Sequence, residues 1–194
     1  QRAMTALAPA LVSELARVAD PDRALHHLVS FMSSIGARTS FLHLLLENPG
    51  VMRLLVRLFG TSEFLSRDFL RHPELLDSLV RADLVRVTRS RDDLAAELHA
   101  RHAAATDLET QLDIIRRLRH EEFLRIGVHD IESDATGDVV REQLSTLAEV
   151  CLEAAVEIAA GGVRERLRLP AGPPGDGLVI VGMGKLGGGE LNVS

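Results

Sequence analysis

The sequence predicts a mainly α fold, in which a multi-helix bundle is followed by one strand and a glycine-rich loop. Over most of the chain, apolar residues recur every three or four positions, which places them on one face of successive helices. The pattern changes at Pro170, where a connector rich in proline and glycine leads into four aliphatic residues, Leu178 to Val181. A short uninterrupted aliphatic run is typical of a buried strand. The predicted divisions are a helical domain over 1–169, a linker over 170–177 and the start of a second domain over 178–194.

The N-terminal half predicts short helices, each with its own start signal. Asp20 with Pro21, and Asn48 with Pro49, combine a capping side chain with proline at the first helical position. Ser62 and the pair His72 and Pro73 predict two further starts, and Gly36 and Gly60 predict helix ends. The predicted apolar faces are Leu25, Leu28, Met32 and Ile35; Met52, Leu55, Val56 and Phe59; Phe64, Leu65 and Phe69; and Leu75, Leu76 and Leu79.

Two longer helices are predicted next, near 107 to 129 and 138 to 166. The first follows Thr106, Asp107, Leu108 and Glu109, a Thr-x-x-Glu capping-box pattern. The residues predicted to be largely buried are Leu112, Ile115, Leu118, Leu144, Leu147, Cys151 and Ile158. Cys151 is the single cysteine, so it cannot form an internal disulfide, and we interpret it as a small buried apolar residue.

The composition argues against two classes of partner. The formal net charge is −6 and aromatic residues make up only 3%, whereas nucleic-acid binders usually carry a basic face and often stacking aromatics. A local basic stretch, Arg81 to Arg91, is interspersed with aspartates, which favours a solvated surface. Without an apolar run near the ~20 residues that span a bilayer, we expect no membrane partner and a cytoplasmic protein.

The glycines after the predicted strand indicate a phosphate-binding loop. Gly182, Gly184 and Gly187 fit the G-x-G-x-x-G pattern of dinucleotide-binding domains, but that pattern needs an acidic residue about 20 positions further on, past residue 194. A P-loop is excluded more directly, because Lys185 is followed by Leu186 and not by Ser or Thr.

A third interpretation rests on the whole run from Gly182 to Asn192, Gly-Met-Gly-Lys-Leu-Gly-Gly-Gly-Glu-Leu-Asn. It resembles the glycine-rich motif in the nucleotidyltransferase domains of the glutamine synthetase adenylyltransferase family. Three upstream segments also resemble the helices that precede such a domain in that family: Glu47-Asn48-Pro49, His72-Pro73-Glu74-Leu75-Leu76, and Arg119 to Ile126. The resemblance covers most of the chain, and the C-terminal motif is its sharpest part.

The resemblance implies the first strand and glycine loop of a polymerase-β-type nucleotidyltransferase domain, with ATP and Mg²⁺ as cofactors. The expected nucleotide-binding residues are Gly182, Gly184, Lys185, Gly187, Gly188 and Ser194. In the family, a Ser-Asp-x-Asp segment continues past the position of Ser194, and its aspartates hold two Mg²⁺ ions. We therefore expect no catalytic residue and no metal ligand within this chain, which would be an inactive fragment ending near an active site.

Members of the family transfer AMP from ATP to a tyrosine of glutamine synthetase, or remove it by phosphorolysis, and the sequence leaves both directions open. The implied partners are glutamine synthetase and, as a second candidate, a PII-type nitrogen-signalling protein. The alternative hypothesis is a helical interaction module that binds either of them through charge-rich faces. His99 and His102 could share a metal, but with no third ligand nearby we expect exposed helix residues.

Overall fold

The computed structural model describes residues 2–35, 38–77, 88–105, 107–132, 137–170, 172–173 and 178–193. Within these ranges the chain is mainly helical, as predicted. The helices are α1 (Arg2–Leu15), α2 (Pro21–Ser34), α3 (Arg38–Glu47), α4 (Pro49–Thr61), α5 (Glu63–Arg71), α6 (Arg91–His102), α7 (Leu108–Glu132), α8 (Gly137–Leu167) and α9 (Gly184–Gly187), with a 3₁₀ turn at Pro73–Leu75. None of the described helices is long and apolar enough to cross a bilayer.

The chain divides into two compact units. The first comprises Gln1–Val87, Leu124–Ala135 and Val193–Ser194, and the second comprises Thr88–Phe123 and Thr136–Asn192. Helix α7 therefore contributes its C-terminal part to the first unit and its N-terminal part to the second. The domain boundaries predicted from the sequence stay a prediction.

A cluster of phenylalanines forms the centre of the first unit. The ring of Phe31 on α2 lies 4.9 Å from the ring of Phe69 on α5 and 5.4 Å from that of Phe41 on α3. Phe59 on α4 lies 5.9 Å from Phe69. The offset and edge contacts of such rings add to the free energy gained from burying them. One aromatic cluster thus joins four helices.

The helix starts in this unit follow the predicted signals. The Asp20 carboxylate accepts a hydrogen bond from the backbone N–H of Arg23 at 2.9 Å, and the Ser62 hydroxyl accepts one from the N–H of Leu65 at 3.2 Å. Asn48 precedes α4 as expected, but its side chain makes no cap there. Its Nδ2 instead donates to the carbonyl of Leu44 at 3.0 Å, at the end of α3.

The predicted apolar faces are right for α4 and partly wrong elsewhere. Met52, Leu55, Val56 and Phe59 are all buried. On α2 the buried face is Ala24, His27, Leu28 and Phe31, whereas Leu25 is 42% exposed. Phe64 is likewise half exposed. Pro73 begins a 3₁₀ turn that is followed by two helical residues, Leu76 and Asp77, and the rest of the helix predicted there lies outside the described residues. Apolar residues spaced three or four positions apart can belong to either of two adjacent stripes on a helix surface. The spacing alone therefore does not decide which stripe packs against the core. Leu79 and Gly36 lie outside the described residues.

Gly60 does not end its helix, contrary to the prediction, because α4 continues to Thr61. It is buried, and a Cβ atom added there would lie 2.7 Å from the Cβ of Val18. The glycine therefore serves close packing of α4 against the segment that follows α1. In the same region the Arg23 guanidinium donates to the carbonyl of Gly60 at 2.6 Å and so satisfies a backbone group in the last turn of α4.

The core of the second unit joins three helices. Its buried members are Leu94 and Leu98 from α6, Leu118 from α7, and Val150 and Ala154 from α8. Helix α6 was not predicted from the sequence. This helix begins with a capping box, in which the Ser90 hydroxyl accepts from the N–H of Asp93 and the Asp93 carboxylate accepts from the N–H of Ser90.

The two long helices match their predicted positions to within a few residues. Leu118, Leu144 and Leu147 are buried as predicted. The other four predicted core residues are only partly buried: Leu112, Ile115, Cys151 and Ile158. Thr106 lies outside the described residues, and the observed cap of α7 comes from Asp107, which accepts from the N–H of Thr110 at 2.9 Å. Burial raises the pKa of the Cys151 thiol, against the lowering effect of nearby Arg119.

An ion-pair network connects α6 with the preceding segment and with α7. The Arg89 guanidinium lies 2.8 Å from Glu122 and 2.5 Å from Glu97. Arg101 pairs with Glu97 and lies 2.7 Å from Glu121. The Glu122 side chain is only 4% exposed. The predicted solvated surface is therefore wrong for Arg89, which is mostly covered and paired with carboxylates; residues 81–87 lie outside the described ranges.

Candidate nucleotide-binding loop

The segment that leads into the loop does not form the predicted strand. Leu178 to Val181 has no strand in the described structure, and its side chains are between 52% and 82% exposed. A strand needs a neighbour to satisfy its backbone N–H and C=O groups, and the described residues supply no such neighbour. The aliphatic run therefore stands as an exposed apolar segment in front of the loop.

Two glycines in the loop adopt backbone conformations that other residues avoid. Gly184 has φ of +59° and Gly189 has φ of +65°. These values lie in the left-handed region, where a Cβ atom is strained and glycine is not. The loop therefore depends on glycine at two turning points, and Gly189 was not among the predicted nucleotide-binding residues.

A third glycine is required for a different reason, which is close contact between backbones. A Cβ atom added to Gly187 would lie 2.4 Å from the carbonyl oxygen of Gly182 and 2.8 Å from its carbonyl carbon. The neighbouring atoms are backbone, so they cannot rotate away. The contact folds residues 182 to 187 into a tight turn that has no room for a side chain at position 187.

The turn is closed by backbone hydrogen bonds around the single helical turn α9. The N–H of Gly188 donates to the carbonyl of Gly184 at 3.0 Å, and the N–H of Glu190 donates to the carbonyl of Lys185 at 2.7 Å. Gly188 differs from Gly187, because a Cβ atom there would meet the Glu190 side chain at 3.5 Å and the carbonyl oxygen of Gly184 at 3.6 Å, which are ordinary contacts.

Lys185 is the one cationic side chain between residues 178 and 193. It is exposed, and its Nζ donates to Oδ1 of Asn192 at 2.9 Å. The hydrogen bond holds the ammonium group across the turn without neutralising its charge. Such an arrangement suits an anion with several oxygen atoms. Asn192 was not predicted as a site residue, although it belongs to the motif on which the resemblance rests.

The structure brings five of the six predicted nucleotide-binding residues into this loop: Gly182, Gly184, Lys185, Gly187 and Gly188. Ser194 lies outside the described residues. Their role in binding a nucleotide stays a prediction. Glu190 is the only carboxylate between 178 and 193, so this segment alone offers no pair of hard oxygen ligands of the kind that two-metal sites use.

Comparison with known proteins places the loop within a family motif. A family model described as glutamate-ammonia ligase adenylyltransferase matches residues 52–194, which run from within α4 through α9 and include the whole glycine motif. The chain belongs to this adenylyltransferase family.

Similar curated proteins include three bacterial enzymes, each named bifunctional glutamine synthetase adenylyltransferase/adenylyl-removing enzyme. The protein of Chromobacterium violaceum is 33% identical over 193 residues, which cover 98% of this chain and 21% of that protein. The proteins of Idiomarina loihiensis and Thioalkalivibrio sulfidiphilus are each 32% identical, cover 97% and 95% of this chain, and are themselves covered to 20%. The chain thus spans about a fifth of the length of these relatives.

Proposed function

We propose that this chain is part of an enzyme that transfers AMP from ATP to a tyrosine of glutamine synthetase, or removes it by phosphorolysis. Support comes from the family match over residues 52–194 and from the names of the similar proteins. One observation supports placing the nucleotide site at the glycine loop. In this turn Gly187 packs directly on Gly182, and Lys185 is exposed beside them.

Within this proposal, the loop belongs to a polymerase-β-type nucleotidyltransferase domain that begins at Leu178, and it holds the triphosphate of ATP. Because glycines carry no side chain, their backbone N–H groups can approach phosphate oxygens closely. The Lys185 ammonium adds a positive charge that is anchored by Asn192. Gly182, Gly184, Gly187 and Gly188 supply the backbone surface, and Ser194 is proposed as a further contact.

The proposed cofactor Mg²⁺ neutralises charge on the transferring phosphoryl group in two-metal sites of this kind. The described loop does not fit a pair of Mg²⁺ ions, since Glu190 is its only carboxylate. We propose that the metal-binding aspartates lie outside residues 1 to 194. Accordingly, a protein limited to these residues should transfer no AMP, and weak binding of ATP would not change this expectation.

A second proposed role, which is compatible with the first, is partner binding by the helices. Helix α8 carries exposed apolar residues at Leu152, Val163 and Leu167, which lie on the side opposite to its buried stripe of Leu144, Leu147 and Ala154. Exposed apolar patches of this kind often mark interaction surfaces. Glutamine synthetase is the proposed occupant, with a PII-type signalling protein as the second candidate.

The test of the enzymatic proposal is transfer of labelled AMP by the full-length gene product. The protein is incubated with Mg-ATP carrying a labelled α-phosphate and with glutamine synthetase, and a glutamine synthetase in which the acceptor tyrosine is replaced by phenylalanine serves as the control. We expect label on the first protein and none on the second, and release of label as ADP when phosphate is supplied to the adenylylated form. Absence of both transfer and release would contradict the proposal.

A further inference from the structure

A recess between α6 and α8 in the second unit is lined by histidine and glutamate side chains that have no role in the proposed function. Its volume is about 200 Å³, and it is open to solvent on one side. Its floor includes Leu98 and Ala154 from the core of this unit. Its walls carry two imidazoles from α6 and two carboxylates from α8: His99, His102, Glu153 and Glu157.

His102 is oriented in the way that metal-binding histidines usually are. Its Nε2 lies 3.0 Å from the backbone carbonyl oxygen of Gln111. A carbonyl only accepts, so Nε2 carries the proton and Nδ1 keeps its lone pair. Histidine ligands commonly donate their second ring N–H to a carbonyl or carboxylate, which fixes the ring and makes the other nitrogen more basic.

The other two groups needed for a site are available. Within the described residues, neither the His99 ring nor the Glu157 carboxylate has a hydrogen-bond or ion-pair partner. Glu153 differs, because it pairs with Arg91. His102 is the last residue of α6, and the carbonyl groups at a helix C-terminus favour a nearby cation.

We propose that His99, His102 and Glu157 bind a divalent first-row transition-metal ion, for which Zn²⁺ is the test ion. Two imidazoles and one carboxylate, with water in the fourth position, form a known ligand set for zinc. The same set disfavours Mg²⁺, which prefers oxygen ligands. The sequence offered no third ligand near the two histidines; the fold supplies it from α8.

The three ligand atoms are not gathered within 4.8 Å of one another in this structure, so binding requires rotation of one or more of these side chains, Glu157 included. That rotation breaks no existing contact of the carboxylate in the described structure. A bound ion would connect the last turn of α6 to the middle of α8. The site is therefore a tie between two helices, separate from the nucleotide chemistry proposed for the loop.

The test is calorimetric titration with ZnCl₂ at neutral pH, in a Cys151→Ser background that removes the thiol as a competing ligand. We expect the protein to bind one Zn²⁺ at this site and Mg²⁺ not at all. His99→Ala and Glu157→Gln should each weaken zinc binding by at least about tenfold, the smallest loss typical even for outer-shell partners. Because neither side chain has a partner, both variants should keep the melting temperature of the metal-free protein.

Matched controls come from the same kinds of residue. His43→Ala, at an exposed histidine of α3, and Glu165→Gln, at an exposed glutamate of α8, should bind zinc as the parent does. The proposal is overturned if the parent shows no zinc binding at micromolar concentrations. It is also overturned if His99→Ala or Glu157→Gln binds zinc as tightly as the parent, because the ion would then lie elsewhere.

Discussion

At the residue scale, two glycines show how the absence of a side chain sets the packing. Gly60 lies in the last turn of α4 and Gly187 lies in the glycine loop, yet at both positions an added Cβ would be closer than 3.0 Å to a neighbouring atom. The sequence alone suggested a helix end for the first and a phosphate-loop position for the second. Both predictions relied on the conformational freedom of glycine. In the structure, glycine is required at both positions because a larger residue would not fit.

Gly60→Ala should destabilise the protein, because the new methyl group would meet the branched Cβ of Val18 at 2.7 Å. Overpacking of this kind typically costs about 1–3 kcal/mol. The matched control is Gly50→Ala in the same helix, where nothing lies within 4 Å of the new atom. That change should be neutral or stabilising by up to about 1 kcal/mol. Urea unfolding of both variants measures the difference, and equal midpoints would contradict the packing argument.

Other residue-scale predictions show what a sequence can and cannot specify. Asp20 and Ser62 cap their helices as predicted, because a cap depends on residues only three positions apart. Asn48 precedes a helix as predicted, but its side chain bonds backward to Leu44. A side chain such as Asn48 can hydrogen-bond to either of two nearby backbone groups. The surrounding packing decides which bond forms, and a short start signal in the sequence does not contain that information.

At the element scale, α6 is the clearest omission of the sequence analysis. Its twelve residues include five charged ones, and the basic stretch in front of it suggested a solvated surface. Only Leu94 and Leu98 are buried, and two apolar residues are too few to show a helical periodicity in the sequence. Besides its local capping box, this helix is held by the burial of Leu94 and Leu98 and by ion pairs with α7 and α8. The core contacts and the ion pairs depend on partners that are distant in sequence.

Ser90→Ala tests the contribution of the capping box to α6. Loss of the hydroxyl removes the acceptor of the Asp93 N–H, which typically costs about 1 kcal/mol of unfolding free energy. Asp92→Asn in the same first turn is the control and should have a smaller effect, since that side chain takes no part in the box. Chemical denaturation measures both, and equal effects would mean that the hydroxyl does not cap the helix.

Arg89→Ala should be the most damaging single change in the ion-pair network. It removes one of the groups that bind the buried Glu122 carboxylate, and a hydrogen bond to a charged group contributes about 1.5–3 kcal/mol. Arg116→Ala, which breaks exposed pairs on α7, is the control and should leave the unfolding midpoint nearly unchanged. Similar midpoints for the two variants would show that burial of Glu122 does not matter.

The same network predicts part of the pH dependence. Burial of Glu97 works against its charge, but hydrogen bonding and attraction to Arg89 and Arg101 outweigh burial and lower the pKa below its ordinary 4.5. A lowered folded-state pKa stabilises the protein above pH 4.5, and this stabilisation is lost as pH falls through the folded-state value. Stability should therefore fall less in Arg89→Ala than in the parent as pH is lowered from 4.5 through the folded-state pKa of Glu97. An unchanged slope would contradict this assignment.

At the scale of the whole molecule, the helical class and the family followed from the sequence, whereas the strand did not. Helices satisfy their own backbone groups, so their periodicity can be recognised in isolation. Leu178 to Val181 has the composition of a strand, but a strand exists only with a partner. The motif from Gly182 to Asn192 indicated the family because it is long. The contacts of Gly187 with Gly182 and of Lys185 with Asn192 could only come from the fold.

The central claim is that this loop holds the triphosphate of ATP in a glutamine synthetase adenylyltransferase. The most direct test is kcat/KM for ATP in labelled AMP transfer to glutamine synthetase, measured on the full-length gene product with Lys185→Ala, Lys185→Arg and the control Arg168→Ala. We predict a fall of about 10²-fold for Lys185→Ala, the effect typical of losing one preorganised charge-stabilising group, with partial recovery in Lys185→Arg and no change in the control. Unchanged kcat/KM in Lys185→Ala would contradict the claim and would place the triphosphate away from this loop.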